Sequence, residues 1–288
     1  MDLKVTFWGV RGSIPTPGDA TRRFGGNTAC VEIAVGDTLI VCDAGSGIRP
    51  LGLDLLRRHP HPLDVHLFLT HAHWDHIQGF PFFAPAYHSQ NRIRIYGNGP
   101  SDDRHYQLLS GQMQGGYFPI SFLSLKAAVV PAFLEEGRGH IGPVAVEAFP
   151  LNHPGGSTGY IFGVGGRKVV YATDHQIDWD GQSPERLRPV PQACLEAARG
   201  ADLLIADAQF TDAAYLAHPD WGHSSAHTVT DWAVQAGVKQ LALFHHDPSH
   251  SDEEMDALAR SCAARAARLG GDLAVFAAEE GRQIAWTV

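Results

Sequence analysis

Short apolar runs, broken by glycine, proline and charged residues, recur along the whole chain. Leu3–Trp8 alternates apolar and polar side chains, as a half-buried strand does. Cys30–Val35 and Thr38–Cys42 are apolar runs joined by Gly36-Asp37, a dipeptide that closes a hairpin. Val65–Thr70, Arg92–Tyr96, Val144–Phe149, Tyr160–Val164, Lys168–Ala172, Leu203–Ala206 and Gln240–Phe244 also read as strands, and Leu273–Ala277 as a strand closing a sheet edge. Between them the apolar spacing widens to the helical period over Gly47–Arg58, Asp102–Met113, Pro184–Arg199, Ser225–Ala236 and Asp252–Leu269. This alternation predicts an α/β protein of mixed sheets covered by helices, with functional residues at strand ends and in loops.

One strand leads directly into chemistry. After Val65-His66-Leu67-Phe68-Leu69-Thr70 the chain continues His71-Ala72-His73-Trp74-Asp75-His76. His71 and His73 are two positions apart, so on extended backbone they point the same way and can grip one ion. Asp75 and His76 stand where the chain turns into a helix and can face a second ion. Imidazole with carboxylate suits borderline divalent metals, and a set that leaves a position open for water is catalytic. His66 reads as an ordinary strand residue.

The HxHxDH run after an apolar strand resembles the metallo-β-lactamase superfamily. The resemblance implies a four-layer αββα sandwich over residues 1–288 as one domain, holding two divalent ions, Zn²⁺ or Mn²⁺. By match to the family pattern, His153 in Leu151-Asn152-His153-Pro154 completes the first ion's ligands with His71 and His73. Asp174 in Ala172-Thr173-Asp174-His175 bridges both ions, and His245 in Phe244-His245-His246 joins Asp75 and His76 on the second. His246 is the alternative to His245, whereas His175 is read as a neighbour. Asp43 in Cys42-Asp43-Ala44-Gly45 matches a residue that buttresses a metal-binding histidine.

Two close ions lower the pKa of a shared water and present a bridging hydroxide to an ester, lactam, thioester or phosphodiester. Trp221-Gly222-His223-Ser224-Ser225 is similar to a segment of the superfamily's phosphodiesterase branch, which includes tRNA 3′-processing endonucleases and the cyclic-phosphate diesterase of phosphonate breakdown. That likeness implies His223 as general acid and Asp207 as the carboxylate that orients it, with Asp75 also in the catalytic set. The expected activity is therefore cleavage of a small or cyclic phosphodiester. The alternatives are a thioester, lactone or lactam hydrolase and a non-catalytic metal-binding sensor.

Composition narrows the partners. The formal charge of −9 speaks against a large polyanion, and the chain between His153 and Asp174 is long enough only for a turn and two strands. It leaves no room there for the arm that grips a tRNA elbow in that branch, so tRNA is disfavoured. Arg11 and Arg23, in a Gly/Pro-rich loop after the first strand, are either phosphate-pairing groups or plain surface charge. Gly155-Gly156 permits either close backbone approach to the metals or a tight turn, and Tyr106–Phe133 reads as core, a lid or an association surface. Four scattered cysteines suggest reduced thiols, and no apolar run is long enough to span a membrane. Met1–Phe7 reads as a strand rather than a signal peptide, which makes the cytoplasm the expected location. A homodimer is the assembly the resemblance suggests.

Overall fold

The computed structural model describes residues 1–59, 62–97, 103–182 and 185–288. Its first half runs β1 (Asp2–Gly9), β2 (Cys30–Val35), β3 (Thr38–Cys42), α1 (Ile48–Arg58), β4 (Asp64–Phe68), α2 (Trp74–Ile77), β5 (Arg92–Tyr96), α3 (Arg104–Gly111) and β6 (Ala128–Ala132). The second half runs β7 (Arg138–Ile141), β8 (Val144–Leu151), β9 (Ser157–Val164), β10 (Arg167–Ala172), α4 (Gln192–Ala198), β11 (Leu203–Asp207), α5 (Asp212–Ala217), α6 (Ala226–Gln235), β12 (Gln240–Phe244), α7 (Asp252–Arg268), β13 (Ala274–Ala277) and β14 (Gln283–Thr287). Among the described residues the strands form two seven-stranded sheets, ordered β14-β1-β2-β3-β4-β5-β6 and β13-β12-β11-β10-β9-β8-β7.

Each sheet is antiparallel on one side and parallel on the other: β3 to β6 run parallel in the first, and β10 to β13 in the second. Inward-facing Val5, Phe7, Ile33, Phe68, Tyr160, Phe162, Tyr171 and Phe244 fill the space between the sheets. The outer face of the first sheet packs under Ile48, Leu51 and Leu55 of α1 and Leu109 of α3; that of the second packs under Val229 and Trp232 of α6 and Met255 and Cys262 of α7. Both faces of the inner strands are therefore apolar, as parallel strands buried on two sides require. The four cysteines are free and buried. No helix among the described residues is long and apolar enough to cross a membrane.

The elements differ from expectation where backbone chemistry overrides periodicity. The helix expected over Pro184–Arg199 forms only as α4; Pro184 lies outside the described residues, and Pro189 and Pro191 withdraw donors and disfavour helix before them. The segment is held instead by the Arg188 backbone N–H on Asp231 Oδ2 at 2.8 Å. The helix expected from Asp102, also outside the described residues, is observed as α3. Edge strands β6, β7 and β14 and helix α5 were not predicted; β6 is half exposed and carries Pro131, which only an edge tolerates.

Phe68 lies between the sheets with its ring 4.2 Å from that of Tyr96 and 5.1 Å from that of Tyr160. Phe68→Ala is expected to destabilise the fold by about 3–5 kcal/mol in urea unfolding, the usual cost of emptying a large aromatic site.

Candidate metal centre

The C-terminal ends of the parallel strands of both sheets meet at one rim, where open α/β sheets place their ligands. Asp43 follows β3, the His71–His76 run follows β4, Asp174 follows β10, Asp207 ends β11 and His245 follows β12. Asp43, Asp174 and His245 adopt φ of 60°, 57° and 59°, in the left-handed region that non-glycine residues rarely enter. Such a turn at the strand end aims the side chain into the rim instead of across the sheet.

Side chains collect there in three overlapping groups, His71 with His73 and His153, Asp75 with His76, Asp174 and His245, and Asp174 with Asp207, His223 and His245. His153 Nε2 lies 3.2 Å from His73 Nδ1, and both His71 Nε2 and His153 Nε2 lie 3.8 Å from Asp174 Oδ1. In the second group His76 Nε2 is 3.0 Å from Asp174 Oδ2 and 3.2 Å from Asp75 Oδ2. His245 Nε2 is 3.4 and 3.1 Å from the same two carboxylates. Asp174 thus faces both histidine groups with different oxygens. The second group is wholly buried, whereas His73 is exposed at the mouth.

The opposite ring nitrogens are anchored to protein. His153 Nδ1 donates to the Gly222 carbonyl at 2.9 Å, His245 Nδ1 to Gln209 Oε1 at 2.9 Å and His76 Nδ1 to Asp43 Oδ2 at 2.9 Å. His71 Nδ1 donates to Thr70 Oγ1 at 3.0 Å, and that hydroxyl donates onward to Asp43. Asp43 also accepts from the Thr70 backbone N–H and from Tyr171 OH, each at 2.8 Å. These bonds set the tautomers that turn the free Nε2 lone pairs toward the carboxylates. Close packing adds to the anchoring, since a side chain at Gly12 would strike the His245 ring and one at Gly222 the His153 ring.

The donor set fits divalent metal. His71 Nε2 is buried without a hydrogen-bond partner, a costly arrangement unless an ion takes the lone pair. Among the described ion pairs, every partner of Asp75 and Asp174 is a histidine. Burial, reinforced by His76, lowers the His71 pKa well below its ordinary value, so it stays neutral, as a ligand must. Burial also opposes charge on His76, but Asp174, Asp75 and Asp43 outweigh it and raise its pKa well above the ordinary value. The pocket therefore calls for positive charge.

The remaining histidines separate by their surroundings. His223 Nδ1 meets Asp207 Oδ2 at 2.6 Å, and its ring stacks on that of His245 at 5.0 Å. Burial lowers the His223 pKa, but the Asp207 charge and hydrogen bond prevail and push it up to about 9. His246 turns away, its Nε2 donating to the Ala278 carbonyl at 2.8 Å, and burial pulls its pKa down to about 3. His175 accepts from the Asn152 N–H and contacts Cys194 Sγ, outside all three groups. His227 pairs with Asp212 and Ser261. Ser225 caps α6, and Ser224 bonds to His175 and Ile177.

Arg11 and Arg23 do not reach the rim. Arg11 is fully buried and donates to the carbonyls of Gly25, Asp247 and His250, and Arg23 pairs with Asp256. Their loop does face the centre, through the Ser13 backbone N–H on Asp75 Oδ2 at 2.7 Å. Gly155 and Gly156, at φ of 84° and 86° with nothing near their absent side chains, form a tight turn. Thr70, Tyr171, Gln209 and Ser13 escaped sequence reasoning because their types are common and only the fold brings them to the site.

Two mixed sheets packed face to face, helices outside and a histidine–aspartate cluster at the rim define an αββα metallohydrolase-type sandwich. The chain belongs to the family described as the beta-lactamase superfamily domain, whose profile matches residues 38–246. A ribonuclease Z of Methanosarcina acetivorans is 26% identical, with the match covering 87% of this chain and 90% of that protein. Among solved structures, a diphosphatase of the PhnP family superposes with a TM-score of 0.70 at 17% identity, covering 99% of this chain and 98% of that one. Human tRNase Z, short form, superposes at 0.63 and 22% identity, covering 100% of both chains. The two structural likenesses concern the fold.

The expectation that tRNA is disfavoured is overturned by the matches to ribonuclease Z across most of the chain. A short segment between His153 and Asp174 bears on one gripping device, away from the rim where a bond would be cut. Net charge averages over the whole surface and does not describe the field at a cleft.

We expect the His223 ring, followed by NMR in chelated protein, to titrate near 9 and Asp207→Asn to move it toward 6.5. The raised value means that the stability gained from the pair is complete below pH 6.5 and lost as pH climbs through about 9. Separately, Asp43→Asn should weaken Zn²⁺ binding by about 10–100-fold in calorimetric titration while the protein stays folded.

Proposed function

We propose that this chain is a metal-dependent phosphodiesterase, working as one domain over residues 1–288 in which pairing of β1 with β14 joins the two ends of the chain. The observation that carries the reading is the buried His223–Asp207 pair at 2.6 Å beside Asp174 and His245. His71, His73 and His153 would hold one divalent ion, Asp75, His76 and His245 a second, and Asp174 both. Zn²⁺ and Mn²⁺ each suit such a nitrogen–oxygen set. When bound, the ions supply a hydroxide nucleophile at neutral pH and offset charge on the phosphoryl oxygens.

The chain's own residues handle the leaving group. Asp207 keeps the His223 imidazole charged and engages its Nδ1, which leaves Nε2–H as the proton to be given up. As the phosphorus–oxygen bond breaks, that proton passes to the departing oxygen, which then leaves as an alcohol instead of an alkoxide. Hydrolysis of a thioester or lactone would leave this charged donor without an evident task. Relatives named ribonuclease Z support a phosphodiester as the bond cut, and a small or cyclic diester is the first substrate to assay, beside RNA.

Protein loaded with Zn²⁺ or Mn²⁺ should hydrolyse bis(p-nitrophenyl) phosphate and lose that activity on chelation. Absence of turnover in protein shown by metal analysis to hold ions would shift the reading to carboxyl derivatives. His223→Ala should retain metal and lower turnover of a diester with an alkoxide leaving group by about 10²–10⁴-fold. The loss should be smaller for p-nitrophenolate, which departs without a proton. Asp174→Ala should release at least one ion; retention of two would refute its bridging role.

A further inference from the structure

Trp74 stands between His73 and Asp75 in the metal-binding run, yet it is 79% exposed. In α2, Asp75 and His76 turn into the rim, while Trp74, Ile77 and Gln78, spaced three and four apart, share the opposite face. That face borders a groove of about 550 Å³, a size ordinary for small-molecule sites. Its far wall comes from α3 and the segment after it: Leu108, Tyr117 and Phe118, with Phe82 alongside. Tyr117 is 84% exposed, Phe82 is exposed too, and the Phe82 and Phe118 rings meet edge to face at 5.5 Å.

The polarity of the groove narrows its occupant. Gln78, Gln107, Gln112 and the Tyr117 hydroxyl supply its polar groups, and among the described residues no Lys, Arg, Asp or Glu lines it. A phosphate or a charged peptide meets no counter-charge among those residues, whereas a neutral planar ring finds aromatic faces to stack on; the glutamine Nε2 groups already donate to Thr28, Asp103 and Ile77, which leaves their Oε1 atoms for the ring's edge. Ala72 and Trp74, which line the groove, flank the exposed His73 in the chain, so the groove adjoins the open side of the His71–His73–His153 group. The cavity between Trp179, Arg188 and Tyr215, about 630 Å³, lacks this setting: Arg188 is taken up by Asp212, Ser225 and Thr228.

We propose that the Trp74–Tyr117 groove holds a nucleobase of the substrate, making nucleotide phosphodiesters, rather than alkyl or sugar-only diesters, the class this site selects. The inference rests on the phosphodiesterase reading above. Stacking one base on aromatic side chains is worth about 1–3 kcal/mol, enough to alter selectivity about tenfold or more.

The test uses the full chain loaded with Zn²⁺, in wild-type form and as Trp74→Ala and Tyr117→Ala, with metal content measured for each. Thymidine 5′-(p-nitrophenyl phosphate) and methyl p-nitrophenyl phosphate share a leaving group and differ in the base. The ratio of their kcat/KM values should fall about tenfold in each variant, mainly through KM for the thymidine diester. An unchanged ratio in Tyr117→Ala, which is remote in sequence from the ligands, overturns the proposal even if Trp74→Ala disturbs metal. Binding of AMP and ribose 5-phosphate, measured by calorimetry on chelated protein, provides a readout independent of turnover. AMP should bind more tightly to wild type, and the difference should vanish in the variants. Should wild type hydrolyse neither diester, the phosphodiesterase reading fails while AMP binding still judges the groove. If Tyr117→Ala instead dissociates a dimer and leaves both the ratio and AMP binding unchanged, the groove is a face between copies and the proposal falls.

Discussion

Taking a carboxylate out of water costs several kcal/mol unless its lone pairs are matched, and Asp43 meets that demand with groups from both sheets. Thr70 and His76 come from the chain that leaves β4, and Tyr171 from β10 in the opposite sheet. The carboxylate is thereby a structural joint and an orienting group together. It holds His76 directly and His71 through the Thr70 hydroxyl, one histidine from each of the first two side-chain groups. Alignment of the sheets and aim of these histidines cannot be changed separately while this network stands.

Above that joint, the rim is built from strand ends that reverse sharply. The left-handed residues Asp43, Asp174 and His245 are stable only because pairing on either side dictates the path of the chain. Their turns bring side chains from the ends of three strands, β3, β10 and β12, to one rim. The cluster is negative and buried, and histidines alone answer its charge, so a cation completes it electrostatically before any question of catalysis arises. The first group opens to solvent at His73, and the second is closed under the Gly12–Ser13 loop.

Identical residue types receive different tasks from their surroundings. His223, His245 and His246 lie within one rim, yet a carboxylate keeps the first charged, an amide oxygen turns the second toward Asp75 and Asp174, and a backbone carbonyl draws the third away. Arg11 makes the same point in reverse: a guanidinium beside a glycine-rich loop suggests an anion site, but three carbonyls bind it into the scaffold.

Much of this was legible in the amino-acid order, because it is local. Strand periodicity follows from side chains alternating across a pleat, and His71, His73, Asp75 and His76 must lie close because six residues cannot spread far. His153, Asp174 and His245 were singled out by the family resemblance, and nothing in the order alone aims them. Edge strands β6 and β14 left little trace, since a half-exposed strand needs no apolar alternation, and the proline-broken start of α4 hid behind good helix formers. The orientation of each histidine, the embedding of Arg11 and the exposure of Trp74 were decided only in three dimensions. Each depends on hydrogen-bond partners and packing surfaces contributed by segments far apart in the chain, and local composition carries no record of those encounters.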